Sequence, residues 1–270
     1  MKKAMVLLLA VLILCSGCTQ RTQTTQTVPK EPEWKLPSSL YGPSDFVQGE
    51  DYLSCSAGTA VVGIDVSSHQ QNIDWQKVKA AGVEFVFVRL GYRGYESGKL
   101  NLDSFAKANL EGAKAAGLKV GAYFFSQAIS MEEAVAEAEF ALEILDGLAL
   151  DLPLVYDWEY ISASARTANV NRRTLTDGTK AFCAAVEKAG YDAMIYFNTS
   201  QGRDMLLLQE LEQYPWWLAK YDVDTEFLCR VDLWQYTNQG RVDGISGDVD
   251  INLMFTDYGL GQAVFAEKVQ

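Results

Sequence analysis

The apolar residues of this chain change period repeatedly. From Val61 onward, short β-branched and aromatic runs alternate with longer stretches whose apolar positions recur every third or fourth residue. The short runs predict strands at Val61–Val66, Phe85–Leu90, Lys119–Phe125, Leu152–Trp158, Ala193–Asn198, Trp216–Lys220, Asp232–Tyr236 and Val249–Met254. The longer stretches predict helices at Asp74–Ala81, Asp103–Ala116, Met131–Leu145 and Asn171–Ala189, with a fifth at Gly202–Gln213. Three helices run into a glycine, at Gly82, Gly117 and Gly190, where a left-handed cap is expected. Strands alternating with helices predict a parallel sheet, and eight of them predict closure into a barrel. The last three strands leave no room for long helices between them. The expected fold is therefore α/β: an irregular TIM-like barrel, (β/α)5(β)3, in a single domain.

Such a barrel carries its function at the C-terminal ends of its strands. The fourth strand ends in VYDWEY, where Asp157 and Glu159 stand two residues apart. Strand side chains alternate faces, so the two carboxyls point the same way. Burying two neighbouring acids is costly and raises one pKa, and such a pair does acid/base work in glycosidases. Asp65, Arg89, Tyr123, Tyr196, Trp217, Trp234 and Asp250 fall near other strand ends. Aromatic faces stack on sugar rings, and carboxylates supply protons and charge. The single histidine, His69, lies in no G-x-S-x-G context and is read as structural. The helix Met131–Leu145, with Glu132, Glu133, Glu137, Glu139 and Glu143, is read as a solvated outer face.

Composition changes before the barrel. Lys2 and Lys3 precede the apolar stretch Ala4–Leu14, an export signal too short to span a bilayer. It ends in Cys15-Ser-Gly-Cys18, which resembles a bacterial lipobox with Cys15 where leucine is usual, so residues 1–18 are read as a lipoprotein signal and Cys18 as the lipidated residue; plain secretion is the alternative. Residues 19–58 are polar and then proline-rich, and are read as a flexible tether, with Trp34, Leu36, Tyr41 and Phe46 available to dock its second half. Residues 59–270 form the expected barrel domain. The formal net charge of −12 argues against holding nucleic acid or an anionic membrane surface electrostatically. No C-x-x-C pair lies in the domain, which argues against a zinc site. Cys55, Cys183 and Cys229 allow one disulfide at most, and Cys55–Cys229 is the pairing considered.

Together these pieces resemble glycoside hydrolase family 25, the Chalaropsis-type lysozymes. The matching segments are GIDVSSHQ at 63–70, IDW at 73–75, FVFVRLGYR at 85–93, GAYFF at 121–125, VYDWEY at 155–160, WWLAKYD at 216–222, and LWQYTNQG through VDGISGDVDIN at 233–252. The resemblance implies hydrolysis of the β-1,4 bond after N-acetylmuramic acid in peptidoglycan. It implies Glu159 as general acid and Asp157 as an ionised partner, with Asp65 and Asp250 completing a catalytic carboxylate set. Tyr123, Tyr196, Arg89, Trp217 and Trp234 are its implied substrate contacts. No cofactor is expected, and the expected partner is peptidoglycan glycan strands, bound by a monomer whose membrane contact is only through the N-terminal lipid. Retaining, inverting and substrate-assisted chemistry stay open at this point. So do a tethered peptidoglycan-binding lipoprotein without turnover, and a carboxylate site holding Mg²⁺ or Ca²⁺.

Overall fold

In the computed structural model, which describes residues 34–221 and 229–266, an antiparallel hairpin of β1 (Phe46–Gln48) and β2 (Leu53–Cys55) precedes the barrel. The barrel strands are β3 (Ala60–Val66), β4 (Phe85–Arg93), β6 (Lys119–Ser126), β7 (Leu154–Trp158), β8 (Ala193–Asn198), β9 (Trp216–Ala219), β10 (Leu233–Gly240) and β11 (Val249–Phe255). Short β5 (Leu100–Leu102) pairs antiparallel with the end of β4. Each barrel strand pairs with the next, and β11 returns to β3 and closes the ring. All neighbours are parallel except β11, which runs antiparallel to both β10 and β3. That reversal brings the start of β11, with Asp250, to the mouth where the other strands end.

Four helices of the sequence pattern form: α1 (Trp75–Ala80), α2 (Ala106–Ala115), α3 (Met131–Leu145) and α4 (Arg172–Lys188). Asp74, Ser130 and Asn171 cap three of them by accepting from the backbone N–H three residues on. Gly82, Gly117 and Gly190 all adopt positive φ at helix ends, as the pattern predicts. On α4, Gly178 would bring a Cβ to 3.6 Å from that of Ala134 on α3, so the two helices meet closely. The expected helix at Gly202–Gln213 is instead a π turn at Gln201–Met205 and a 3-10 turn at Leu208–Glu210. The Arg172 guanidinium takes the Leu206 carbonyl, and the Thr176 hydroxyl accepts from the Leu207 N–H. Groups on α4 thus satisfy the backbone a continuous helix would have paired. A short α5 (Gly259–Val264) follows β11.

The core has two layers, one between barrel and helices and one inside the barrel. Inside, Phe85, Phe87, Val155, Met194, Leu233 and Met254 fill the lower volume beneath Tyr123 and Trp217. A Cβ at Gly63 would lie 2.2 Å from the Phe85 ring, and one at Gly121 2.4 Å from the Phe87 ring, so both positions must stay bare.

Residues 35–58, expected as the second half of a tether, are part of the folded unit Lys35–Gln270. Tyr41 stacks on Phe255 with centroids 4.9 Å apart, and Phe46 meets Trp234 edge-on at 4.8 Å. These aromatics, with Leu53, anchor the segment on the barrel core. The expected signal at 1–18, the lipidated Cys18 and the tether residues up to 33 lie outside the described residues. Cys55, Cys183 and Cys229 are free thiols.

Candidate active site

Two residues above the apolar inner layer, the same inward-facing rows of the strands turn polar. Asp65 follows Gly63, Arg89 follows Phe87, Asp157 follows Val155, Tyr196 follows Met194, and Gln235 follows Leu233. The registers place Asp65 opposite Asp250, Phe125 opposite Asp157, Asp157 opposite Tyr196, and Tyr196 opposite Trp217. Together they line a cavity of about 210 Å³ at the mouth, with Ser67, His69, Gln70, Arg89, Tyr123, Glu159, Tyr221 and Gln235. Of the residues predicted from sequence, Asp65, Asp157, Glu159, Asp250, Tyr123, Tyr196, Arg89 and Trp217 meet here. Trp234 does not. It is 1% exposed, packs outward on Phe46, and donates its indole N–H to the Lys220 carbonyl at 2.7 Å. Strand alternation requires this: Gln235 points in, so its neighbour points out.

Trp217 forms the floor, donating to Asn252 Oδ1 at 2.8 Å and meeting Tyr196 and Tyr123 edge-on at 5.1 and 6.4 Å. Asp65 accepts from Gln235 Nε2 at 2.9 Å and Asn252 Nδ2 at 2.8 Å, both on one oxygen. Tyr196 and Tyr221 both donate to Gln235 Oε1, at 3.2 and 3.0 Å. Gln235 and Asn252 are therefore site residues that a search for titratable groups passes over. Arg89 pairs with Asp103 at 2.8 Å, not with a site carboxylate, and reaches Ser68 Oγ at 3.2 Å. Asp103 also accepts from the Ser68 and Phe105 N–H groups, so it ties Arg89 to two loops. His69 stands exposed at the rim.

The carboxyl pair is held from behind. Gln127 Nε2 donates to the Glu159 carbonyl at 2.6 Å and to the Ser126 carbonyl at 2.9 Å, while Gln201 Nε2 donates to the Trp158 carbonyl at 2.6 Å. Gln127 in turn rests on Glu137, whose carboxylate accepts from the Gln127 N–H, from Ser126 Oγ at 2.5 Å and from Arg93 Nε at 2.6 Å. Glu137 was expected on a solvated helix face, yet it is 0% exposed. It lies on the buried stripe of α3 with Ala134, Ala138 and Ala141. Glu132 and Glu133 remain at the first turn, Glu133 paired with Arg166 at 2.6 Å.

Burial raises the four carboxyls that line the cavity, and Glu137 behind them. It pushes Asp65 up to about 6 against two lowering hydrogen bonds, and Glu137 up to about 7. Asp250 rises to about 8, through burial first and then the charge of Asp65 opposite it. Asp157, 5% exposed, is raised well above the carboxylate range by burial, then by the charges of Glu159 and Asp65. Burial raises Glu159 too, moderated by a hydrogen bond from Asp157. The pair thus shares a proton that the free site places on the deeper Asp157. Asp157 Oδ1 is buried without a hydrogen-bond partner among the described residues.

A stability profile follows. An acid whose folded pKa exceeds its unfolded value stabilises the fold fully below the unfolded pKa and loses that contribution as pH rises through the folded one. All five groups share this sign. The melting temperature should therefore fall as pH climbs from about 5 toward 8.5, between ordinary carboxylate values and the values of about 6 to about 8 above. Asp250→Asn should flatten the upper part of that slope. Thermal scans across this range check it; a melting temperature that rises with pH would overturn it.

The profile of glycosyl hydrolases family 25 matches residues 64–245. The autolytic lysozyme of Clostridium acetobutylicum is 29% identical over 195 residues, covering 70% of this chain and 54% of that protein. Lysozyme M1 of Streptomyces globisporus is 30% identical over 207 residues, covering 72% of this chain and 67% of its own. The structure of the modular autolysin LytC from Streptococcus pneumoniae, in complex with a synthetic peptidoglycan ligand, superposes with a TM-score of 0.65 at 27% identity, covering 73% of this chain and 48% of that one. The chain thus spans about half the length of the autolytic lysozyme and of the autolysin.

Proposed function

The chain belongs to glycosyl hydrolases family 25, and from that premise we propose that it is a muramidase, hydrolysing the β-1,4 bond between N-acetylmuramic acid and N-acetylglucosamine in peptidoglycan. The observation that carries the reading is the pair Asp157–Glu159, buried together at a barrel mouth walled by Tyr123, Tyr196 and Trp217. The relatives named as lysozymes, and the autolysin bound to a peptidoglycan ligand, supply the substrate class.

The reading assigns a role to each group. Glu159, the less buried of the pair, donates its proton to the glycosidic oxygen as that bond breaks. The unpartnered Asp157 Oδ1 accepts the N–H of the substrate acetamido group. That bond favours ionised Asp157 and moves the shared proton to Glu159, so the substrate itself readies the acid. The acetamido oxygen closes on C1, and ionised Glu159 then takes a proton from the water that opens the ring. Asp65, ionised above about 6, stabilises the positive charge on the sugar in between, and Asp250, protonated below about 8, can give the sugar a hydrogen bond. For its setting, the signal pattern at 1–18 with Cys18 supports an exported, lipid-anchored enzyme acting on nearby wall.

Mass spectrometry of peptidoglycan digested with the full chain and reduced with borohydride tests the proposal. New muramitol ends are expected. Reduced glucosamine ends would make the enzyme a glucosaminidase, and no new ends would place it among binding proteins.

A further inference from the structure

Beside the catalytic cavity lies a second, larger groove of about 510 Å³. Two features of this chain build it. One is β10, which continues past Gln235 to Gly240 with two register shifts against β11, irregularities of the kind that bend a strand pair. The other is the β1–β2 hairpin, which precedes the residues matched by the family and docks on β10 through the Leu53 N–H to the Tyr236 hydroxyl at 3.3 Å. Glu50 and Asp51 line the groove from the hairpin, and Arg241 lines it from the residue after β10. The side chain of Tyr221, 52% exposed, lines the groove and the catalytic cavity alike, so the two are continuous.

We propose that this groove is a binding site for the peptide branch of the glycan strand; the proposal rests on the muramidase reading of the adjoining cavity. Its chemistry favours a zwitterionic peptide over further sugar. Trp234 beneath the groove is 1% exposed and already covered by Phe46, which leaves Tyr221, at the side shared with the cavity, as the exposed ring for a sugar to stack on. What the walls offer is charge. Glu50 and Asp51 form no ion pair with a described residue and suit the ammonium of a diamino acid in the peptide. Arg241, 70% exposed at its side chain and held by Asp248 at 2.9 Å, keeps donors for a peptide carboxylate. Tyr221, which lines both, joins the groove to the cavity in which the muramic acid would sit.

The test uses the full chain and two soluble glycan oligosaccharides of equal length, one bare and one bearing lysine-containing stem tetrapeptides. Wild type should show a kcat/KM about fivefold higher on the peptide-bearing glycan, the size of one well-placed surface charge interaction. The double variant Glu50→Gln/Asp51→Asn should lose that advantage and keep its activity on bare glycan. Equal losses on both glycans would make the groove a sugar subsite, and an advantage retained by the variant would send the peptide elsewhere; either overturns the proposal. If wild type cleaves neither glycan, the muramidase reading fails by itself. Calorimetric titration of the free tetrapeptide and its Nε-acetylated form then decides the groove: wild type should bind the free amine about fivefold more tightly, and absence of that discrimination would overturn the site.

Discussion

Glu159→Gln should lower kcat on peptidoglycan about 10²- to 10⁴-fold, the usual contribution of a general acid. KM should change little, and the melting temperature should change little in acid and lose part of the wild-type fall toward high pH. Glutamine keeps the shape and polarity of the side chain, and the contact that positions this residue is to its backbone carbonyl, which Gln127 holds at 2.6 Å in either case. The pH profile separates this role from a merely structural one. The wild-type rate should fall on the alkaline side as the last proton leaves the pair, at a pH raised by the burial of both groups. The residual rate of Glu159→Gln should lack that limb, because no proton remains to be lost from the acid. Asp157→Asn should also be strongly impaired, but with the limb retained, since Glu159 stays buried beside Asp65. Initial rates from pH 4 to 9 on one soluble glycan measure all three. A loss below about tenfold in Glu159→Gln, or an unchanged alkaline limb, would move the donor elsewhere.

The ease with which this site is read from sequence has a physical basis, and so do the places where it fails. Period-two alternation is rigid within a strand, so Asp157 and Glu159 on one face, at the end of an apolar run, follow from local geometry alone. The helix caps at Gly82, Gly117 and Gly190 are local for the same reason. The same alternation rule, applied to Trp234 and Gln235 together, would have turned the indole outward. Other features depend on contacts distant in sequence. Arg89 meets Asp103 rather than a site acid because β5 and the turn after it bring that carboxylate across. Asp250 joins the mouth only because β11 reverses direction. Glu137 looks solvated when glutamates are counted along α3, and looks buried once its stripe with Ala134, Ala138 and Ala141 is followed. The broken fifth helix is decided by Arg172 and Thr176, which compete for its backbone from another element.

Arg93→Ala should destabilise the fold by about 3–5 kcal/mol at pH 8, the cost of leaving one member of a buried ion pair alone. For a domain of this size that is a fall of roughly 10 °C in melting temperature. Arg93 gives Nε to Glu137 at 2.6 Å, Nη1 to the Gly98 carbonyl at 2.7 Å and Nη2 to the Glu133 carbonyl at 3.0 Å, so its loss removes three hydrogen bonds, one of them to a buried carboxylate. The deficit should shrink toward pH 5. Glu137 already sits at about 7, mainly through burial, and without Arg93 its pKa moves higher still, so at pH 5 it is protonated and carries no unpaired charge. The destabilisation thus grows as pH rises through 7, in the direction of the wild-type profile and more steeply. Function should follow stability by a defined route. Glu137 steadies Ser126 and the Gln127 N–H, and Gln127 holds the carbonyl of Glu159. Well below its melting temperature, Arg93→Ala should therefore lose kcat with little change in KM. Urea melts at pH 5 and pH 8, with kinetics at one permissive temperature, measure both effects. A deficit equal at the two pH values would mean that Glu137 is not the group left unpaired. A normal kcat in a destabilised protein would confine the Arg93–Glu137 pair to the fold and leave the positioning of Glu159 to Gln127 alone.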